Sequence, residues 1–462
     1  MMQRLHSAFI YAASLGASIG TFFLIRSFGP SLVTSGPPQG PARLTTSETP
    51  GILLHVLLTL VVVLVLARIL GAMFRRLNQP QVMGEVVAGI LLGPSFLGWL
   101  APGVASQVLP ANTASYLGLI SQVGVVLYMF LVGLDLDTDL LQKRSQAAIA
   151  ISHASIVAPF LLGAAFALWL YPRYSTGVFS FTTFALFIGV AMSITAFPVL
   201  ARILTDRGMQ KTRLGVLALA CAAIDDVTAW CLLAFAMSVA HAQTGSLLFT
   251  LSTIIGFTFF VLLIAKRGAL WLVRRQTRKG RTTQDMFAMV CAALLLSALV
   301  TERIGVHALF GAFLLGTVIP HNSVLARDIR ARCEDLVVVL LLPVFFAFTG
   351  MRTQLGLVHG TRDWMACILI IGVASLGKFG GSFLAARWTG SDWREAASLG
   401  VLMNTRGLME LIVLNVGLDL GVLSPVLFTM FVFMAVITTL ATTPILHKLT
   451  QSHGQSSDPI GK

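Results

Sequence analysis

Residues 217–233 read LALACAAIDDVTAWCLL, and Asp225 and Asp226 are the only charges in that run. Arg213 stands on one side and the polar AHAQTGS of residues 240–246 on the other. That distance fits a helix crossing a bilayer, with the acids near its middle. An ionised side chain at such depth costs at least ~2.5–3.5 kcal/mol. Two adjacent ones also repel, so both cannot ionise freely. A chain keeps such a pair where the acids face a wet cavity and are used. The alternative is a soluble core helix with two buried acids, and composition decides against it.

Hydrophobic residues make up 56% of the 462 and charged residues 11%, with a mean hydropathy of +0.85. A soluble domain is about 25% charged, so the chain reads as an all-α polytopic membrane protein. The net charge of +13 does not imply nucleic acid. Lys and Arg fall in short clusters between apolar spans, as the positive-inside rule expects, and not on one basic face. Cys221, Cys231, Cys291, Cys333 and Cys367 are scattered without CxxC or Cys/His spacing. Neither a disulfide framework nor a structural metal site is indicated, and no cofactor is expected.

Residues 6–25 are apolar after Arg4 and His6, and read as a cleavable signal or an extra span. Residues 27–50, rich in Pro, Gly, Ser and Thr, read as a flexible linker. Apolar runs then recur at the ~20-residue length a bilayer needs. They fall near 52–71, 82–100, 115–135, 145–170, 178–204, 213–240, 246–265, 284–302, 304–320, 335–350, 364–388, 394–418 and 423–447, about 13 spans in all. Residues 448–462 form a short tail.

Alternate loops are basic. One set holds Arg75–Arg76, Lys143–Arg144, Arg202 to Arg213, Lys266 to Arg281, Arg327 to Arg332, Arg387 with Arg394, and Lys448. The other set is nearly neutral, with Arg173, Glu302–Arg303 and Arg352–Arg362 as its charges. The basic set is expected on the cytoplasmic side, which puts residue 50 outside and the C-terminus inside.

An internal repeat is the second signal. AGILLGP (88–94) resembles GAFLLGT (311–317), and FLVGLDLD (130–137) resembles FAFTGMRT (346–353), with Gly133 opposite Gly350. SITAFPVLARIL (193–204) and MNTRGLMELIVL (403–414) each interrupt an apolar helix. Six spans (52–240), one connecting span (246–265) and six more (284–447) give inverted six-helix repeats, because an odd connector inverts the second half.

The interruptions are where an ion would bind. Pro198 removes a backbone hydrogen bond and disfavours helix at Phe197, and Thr195 and Ser193 can serve freed carbonyls or a cation. Asn404, Thr405, Arg406 and Gly407 do the same in the second repeat. Facing breaks at the midplane expose carbonyl oxygens and helix-end dipoles to an ion. Lys378, within GVASLGKFGG (372–381), is a lysine inside an apolar span. Gly377, Gly380 and Gly381 permit close helix approach there. A buried Lys wants an anionic partner, and Asp225 or Asp226 is available. Arg406 and Glu410, four apart, can neutralise each other. Glu85 reads as an interfacial or loop-tethering acid, and Asp135, Asp137 and Asp139 as solvated.

These residues reach a resemblance. GEVVAGILLGPSFLG (84–98), FLVGLDLD (130–137), SITAFPVLARIL (193–204), AIDDVTAW (223–230), LPVFFAFTGM (342–351) and NTRGLMELIVLNVGLDLGVLSP (404–425) together resemble the monovalent cation:proton antiporters. The likeness is to the branch of the plant cation/proton exchangers and the glutathione-gated potassium efflux systems, over residues 52–447. It implies two crossed discontinuous helices, a homodimer in the lipid bilayer, and a bacterial inner-membrane location. It also implies that Asp225 and Asp226 bind the transported Na+ or K+ and H+, with Thr195 beside them and Lys378 as counter-charge. In two respects the chain departs from that branch. It stops about fifteen residues after the last span, before any nucleotide-binding domain or long tail. Its pair is Asp-Asp where potassium efflux members carry a neutral first residue, which favours electrogenic exchange.

Two other functions compete with antiport. A sodium-coupled symporter of an organic anion shares the inverted-repeat plan, but it wants extra cationic residues and does not need adjacent acids. An intramembrane aspartyl protease needs carboxyls in contact on facing helices, whereas neighbours on one helix point about 100° apart.

Overall fold

The computed structural model describes residues 51–135, 146–209, 212–242, 247–279, 282–304 and 307–451, and they are helical without strands. The segment 6–25, the linker, Asp137, Asp139, Lys143, Arg144 and the end of the tail lie outside the described residues.

Ile52–Arg76 (α1), Gln81–Leu92 (α2) and Ala114–Asp135 (α3) open the described chain. Gln146–Tyr174 (α4) follows, then Phe181–Ser193 (α5), Phe197–Asp206 (α6) and Arg213–Ala242 (α7). Leu247–Phe260 (α8) runs through a π-turn at Val261–Ala265 into Lys266–Lys279 (α9). Gln284–Ile304 (α10) and Ala308–Thr317 (α11) come next. Val324–Leu336 (α12) continues through a π-turn at Val337–Leu341 into Leu342–Arg352 (α13). Gly360–Trp388 (α14), Trp393–Met403 (α15), Leu408–Asp419 (α16) and Pro425–Gln451 (α17) complete it. Among the described residues, eleven helical stretches are long and apolar enough to cross a membrane. The α15–α16 pair, bent by 42°, and the short apolar α11 come in addition.

Two stretches expected as basic loops are helical. Lys266 to Lys279 forms α9, and Arg327 to Arg332 lies within α12. Charge density tells which side of a membrane a segment lies on and does not stop it from coiling. Both remain amphipathic extensions of the spans they adjoin.

The helices sort into two bundles by packing. In one, here the core, α4 packs on α14, α5 and α7, while α15 and α17 pack on α14 and on each other. In the other, here the panel, α3 packs on α11 and α13, α2 on α1 and α13, and α10 on α11. The panel is knitted by glycines in matching places. A Cβ on Gly133 of α3 would overlap the Phe313 carbonyl oxygen of α11, and one on Gly350 of α13 would overlap the Val86 carbonyl oxygen of α2. Each glycine therefore lets its helix lie against a backbone from the other half of the chain. Exposed Leu53, Leu54, Leu57 and Val61 on α1, with Leu295, Leu296 and Leu299 on α10, present apolar surface suited to lipid.

The core is built around the two interruptions. Ser180 caps α5 by accepting from Thr183 N at 3.4 Å. The chain then goes extended at Ile194 and Ala196 before α6 starts, with Pro198 in its first turn. There the missing N–H leaves no intrahelical bond unmade. Asp392 caps α15 through Arg394 N at 2.6 Å, and α15 ends at Met403. The interruptions cross where Ala196 N donates to Thr405 O at 3.0 Å. Gly407 sits in extended backbone any residue adopts (φ 169°). Its reason is space, because a Cβ there would stand 2.6 Å from Val199 Cγ2.

Candidate functional site

The two aspartates lie mid-way along α7, beside the crossing, and their surroundings differ sharply. Asp225 is fully buried. Its Oδ1 accepts from Ser152 Oγ at 2.5 Å, and its Oδ2 from Ser155 Oγ at 2.7 Å, Thr195 Oγ1 at 2.9 Å and Lys378 Nζ at 2.9 Å. Four donor groups thus converge on that carboxylate, one at Oδ1 and three at Oδ2. Asp226, one residue on and about 100° around the helix, lies beside the Phe197 backbone N–H that opens α6. Its Oδ1 is buried without a hydrogen-bond partner. It is also within electrostatic reach of Tyr128 on α3.

Lys378 is fully buried and pairs with Asp225, which decides which acid it serves. Two of its neighbouring glycines bring α14 against α4. A Cβ on Gly377 would lie 2.6 Å from Pro159 Cα, and one on Gly381 2.5 Å from Ala154 O. Gly380 faces open space and has no such role.

Arg406 does not reach the aspartates. Its Nη1 donates to Ala191 O at 3.1 Å and its Nη2 to Met192 O at 2.8 Å. It thereby answers the unpaired carbonyls and negative dipole at the C-terminal end of α5. Its pairing with Glu410 is looser, at 3.5 Å. Thr439 of α17 holds the same residue's backbone, accepting from Arg406 N and donating to Arg406 O, both at 2.8 Å. Glu410 Oε1, Thr405 Oγ1 and Asn404 Oδ1 are buried and unpartnered, while Asn404 Nδ2 donates to Ser375 Oγ at 3.3 Å.

Not every expected residue joins the site. Ser193 donates to Gly189 O at 2.6 Å and Ile156 O at 3.1 Å, so its hydroxyl proton is bonded to backbone and not to the acids. Pro198 sets the start of α6 and offers no ligand. Glu85 is buried in the first turns of α2, with Gln81 Nε2 donating to it at 2.9 Å, and does not join the site. Asp135 is exposed and paired with Arg330 of α12. Ser152, Ser155 and Thr439 escaped the sequence reading. The i,i+3 spacing of the two serines in SHAS (152–155) was the signal available for them.

The transmembrane model of the sodium/hydrogen exchangers matches residues 61–448. The chain belongs to the sodium/hydrogen exchanger family. It is an integral membrane protein of the monovalent cation:proton antiporter superfamily. The Na(+)/H(+) antiporter NhaS4 of Synechocystis sp. is 45% identical over 399 residues, 86% of this chain and 97% of that protein. Cation/H(+) antiporter 17 of Arabidopsis thaliana is 37% identical over 393 residues. That match covers 84% of this chain and 48% of the plant exchanger, so the chain spans about half of its length. The sodium proton antiporter MjNhaP1 from Methanocaldococcus jannaschii superposes with a TM-score of 0.66, covering 89% of this chain and 100% of that one. At 14% identity that likeness speaks for the fold alone.

Proposed function

We propose that this exchanger binds one proton or one alkali cation, Na+ or K+, in alternation at Asp226, while Asp225 stays bonded to Lys378. The observation that carries the reading is the contrast between neighbouring carboxylates. Asp225 has four donors, and Asp226 Oδ1 has none although it is buried. Among the described residues, the buried charges of the core are Asp225, Asp226, Glu410, Lys378 and Arg406. Three acids against two bases leave one negative charge uncompensated, which is the charge of one proton or one monovalent cation. Unpartnered oxygens at Asp226, Asn404 and Thr405 are hard donors of the kind an alkali cation takes. Both buried bases have acid partners, so neither is free for an organic anion at the crossing.

Exchange then follows from competition, since occupancy by one ion excludes the other. The core, which holds every charged group of the site, moves against the panel and exposes Asp226 to each side in turn. The pairing of helices across the panel supports two inverted repeats, 52–240 and 284–447, joined by the segment 246–265. Lys and Arg at α9, α12 and the α1–α2 turn favour a cytoplasmic face there and a cytoplasmic C-terminus. The apolar outer surface of the panel suits a homodimer contact. The inner membrane of a bacterium is the expected location.

The test is cation-induced proton movement in proteoliposomes, with Na+, K+ and Li+ added in turn. Asp226→Asn is expected to reduce exchange to background while the protein still inserts. Asp225→Asn leaves Lys378 without its acid and should keep only partial, altered exchange. The cation concentration for half-maximal exchange should rise as pH falls. Robust exchange by Asp226→Asn would refute the assignment.

A further inference from the structure

A cavity of about 540 Å³ opens between panel and core at the end of the molecule that bears the arginine-rich turns. Its panel wall is the last turn of α1, with Arg75, and the turn after it, with Gln79. Asn78 ends that helix in the left-handed conformation (φ 55°), which asparagine tolerates better than most residues. Its core wall is the end of α6, with Arg202 and Arg207, and the end of α17, with Thr443 and His447. Three guanidinium groups and an imidazole thus border one space, and none of its described lining residues is acidic. Glu85 is within electrostatic range of Arg75 but does not line the cavity.

The walls are prepared and incompletely used. Arg207 is held in place, its Nη2 donating to Thr443 O at 3.1 Å and its Nη1 lying 3.3 Å from His447 Nδ1. Thr443 is buried, and its Oγ1 has no partner. Gln79 Nε2 reaches across to Leu440 O at 3.3 Å, while its buried Oε1 is unpartnered. Planar guanidinium forks match phosphate oxygens two at a time. A hydroxyl donor and an amide acceptor suit the remaining oxygens of a partly protonated phosphate.

We infer that this cavity binds a phosphate group, from a soluble phosphorylated anion or an anionic lipid headgroup, and that the occupant clamps panel to core. The contact to Arg75 comes from the panel and those to Arg202, Arg207 and Thr443 from the core, so a bound phosphate ties together the two bodies. The clamp rests on the reading that exchange requires them to move against each other. The binding site does not.

The experiment uses the full chain in phosphatidylcholine nanodiscs, with thermal melting as readout. Inorganic pyrophosphate is titrated in one arm, and phosphatidylglycerol is introduced in the other. Wild type should be stabilised in at least one arm, which identifies the source of the phosphate. Arg75→Gln and Arg202→Gln should each weaken the response about tenfold, with their uninhibited exchange unchanged. Asp226→Asn, inactive in exchange, should bind as wild type does, which separates this inference from the assignment of the ion site. In proteoliposomes the same ligand should slow wild-type exchange and spare the Arg75→Gln/Arg202→Gln double variant. Equal melting responses from wild type and the double variant in both arms would overturn the site. Binding that leaves exchange unaltered would overturn the clamp.

Discussion

The two helix interruptions cross in the core, and their chemistry is not matched. The first, Ile194 to Ala196, has no charge of its own. The Asp pair approaches it from α7, and the carbonyls ending α5 are answered by Arg406 from across the crossing. The second, Asn404 to Gly407, brings a guanidinium with it, has Glu410 one turn on, and is clamped through its backbone by Thr439. Crossed discontinuous helices thus need only one charged member. The second interruption acts as a fixed electrostatic floor, and the first is the lip against which Asp226 faces, its Oδ1 without a partner.

The largest test of that division is Arg406→Gln. The change leaves a buried Glu410 without its base and two carbonyls at the end of α5 without donors. Breaking a buried pair by removing one partner typically costs ~3–5 kcal/mol, and both interruptions are damaged together. Thermal melting should fall further for Arg406→Gln than for any other single change in the crossing. Lys378→Ala comes next. It also strips a buried acid of its base, but Asp225 keeps donors from Ser152, Ser155 and Thr195. Its loss should lie at the lower end, about 3 kcal/mol. The reverse order would mean that the first interruption depends more on the Lys378–Asp225 pair than on Arg406.

Charged residues in apolar spans are few, and this made the skeleton of the site legible in sequence. Asp225, Asp226, Lys378 and Arg406 could be picked out singly, and Pro198 and Gly407 marked the interruptions. Pairings among them were not legible. Nothing in one dimension says that Lys378 points at Asp225 while Arg406 turns to Ala191 and Met192. Hydroxyls were harder still, because Ser and Thr in a helix routinely bond the carbonyl one turn back. Ser193, Thr438 and Thr442 do so, whereas Ser152 and Thr439 do not, and local sequence does not separate the two habits. The fold was legible as an all-helical membrane bundle, and the helical course of α9 and α12 was not.

A third comparison concerns space rather than charge. Gly407 has no strained backbone to protect, so the effect of Gly407→Ala is steric. The new methyl would meet Val199 Cγ2 of α6 at 2.6 Å, and overpacking of a tight contact costs about 1–3 kcal/mol. The crossing would be wedged apart, lowering both melting temperature and exchange rate. Val199→Ala should relieve the clash, so the double variant is expected to recover most of what the single change loses. Failure of that rescue would mean that Gly407 is needed for its backbone, as the left-handed glycines elsewhere in the chain are.

The smallest effect belongs to Thr195, and it probes the uncharged interruption most directly. Its Oγ1 lies 2.9 Å from Asp225 Oδ2 and 3.0 Å from Met403 O. A hydroxyl has one proton to donate, so it serves either the carboxylate or the carbonyl at the end of α15, never both. Thr195→Val removes that donor with little change in volume and leaves one buried acceptor short. The expected loss is about 1 kcal/mol, small beside Lys378→Ala because Asp225 retains three other donors. Thr195→Ser keeps the proton and should restore stability. If the hydroxyl only fills space, valine and serine would rank the other way, since valine preserves the methyl that serine lacks. A serine variant as stable as wild type, with valine below it, would establish that the first interruption is held by a hydroxyl proton where the second is held by an ion pair.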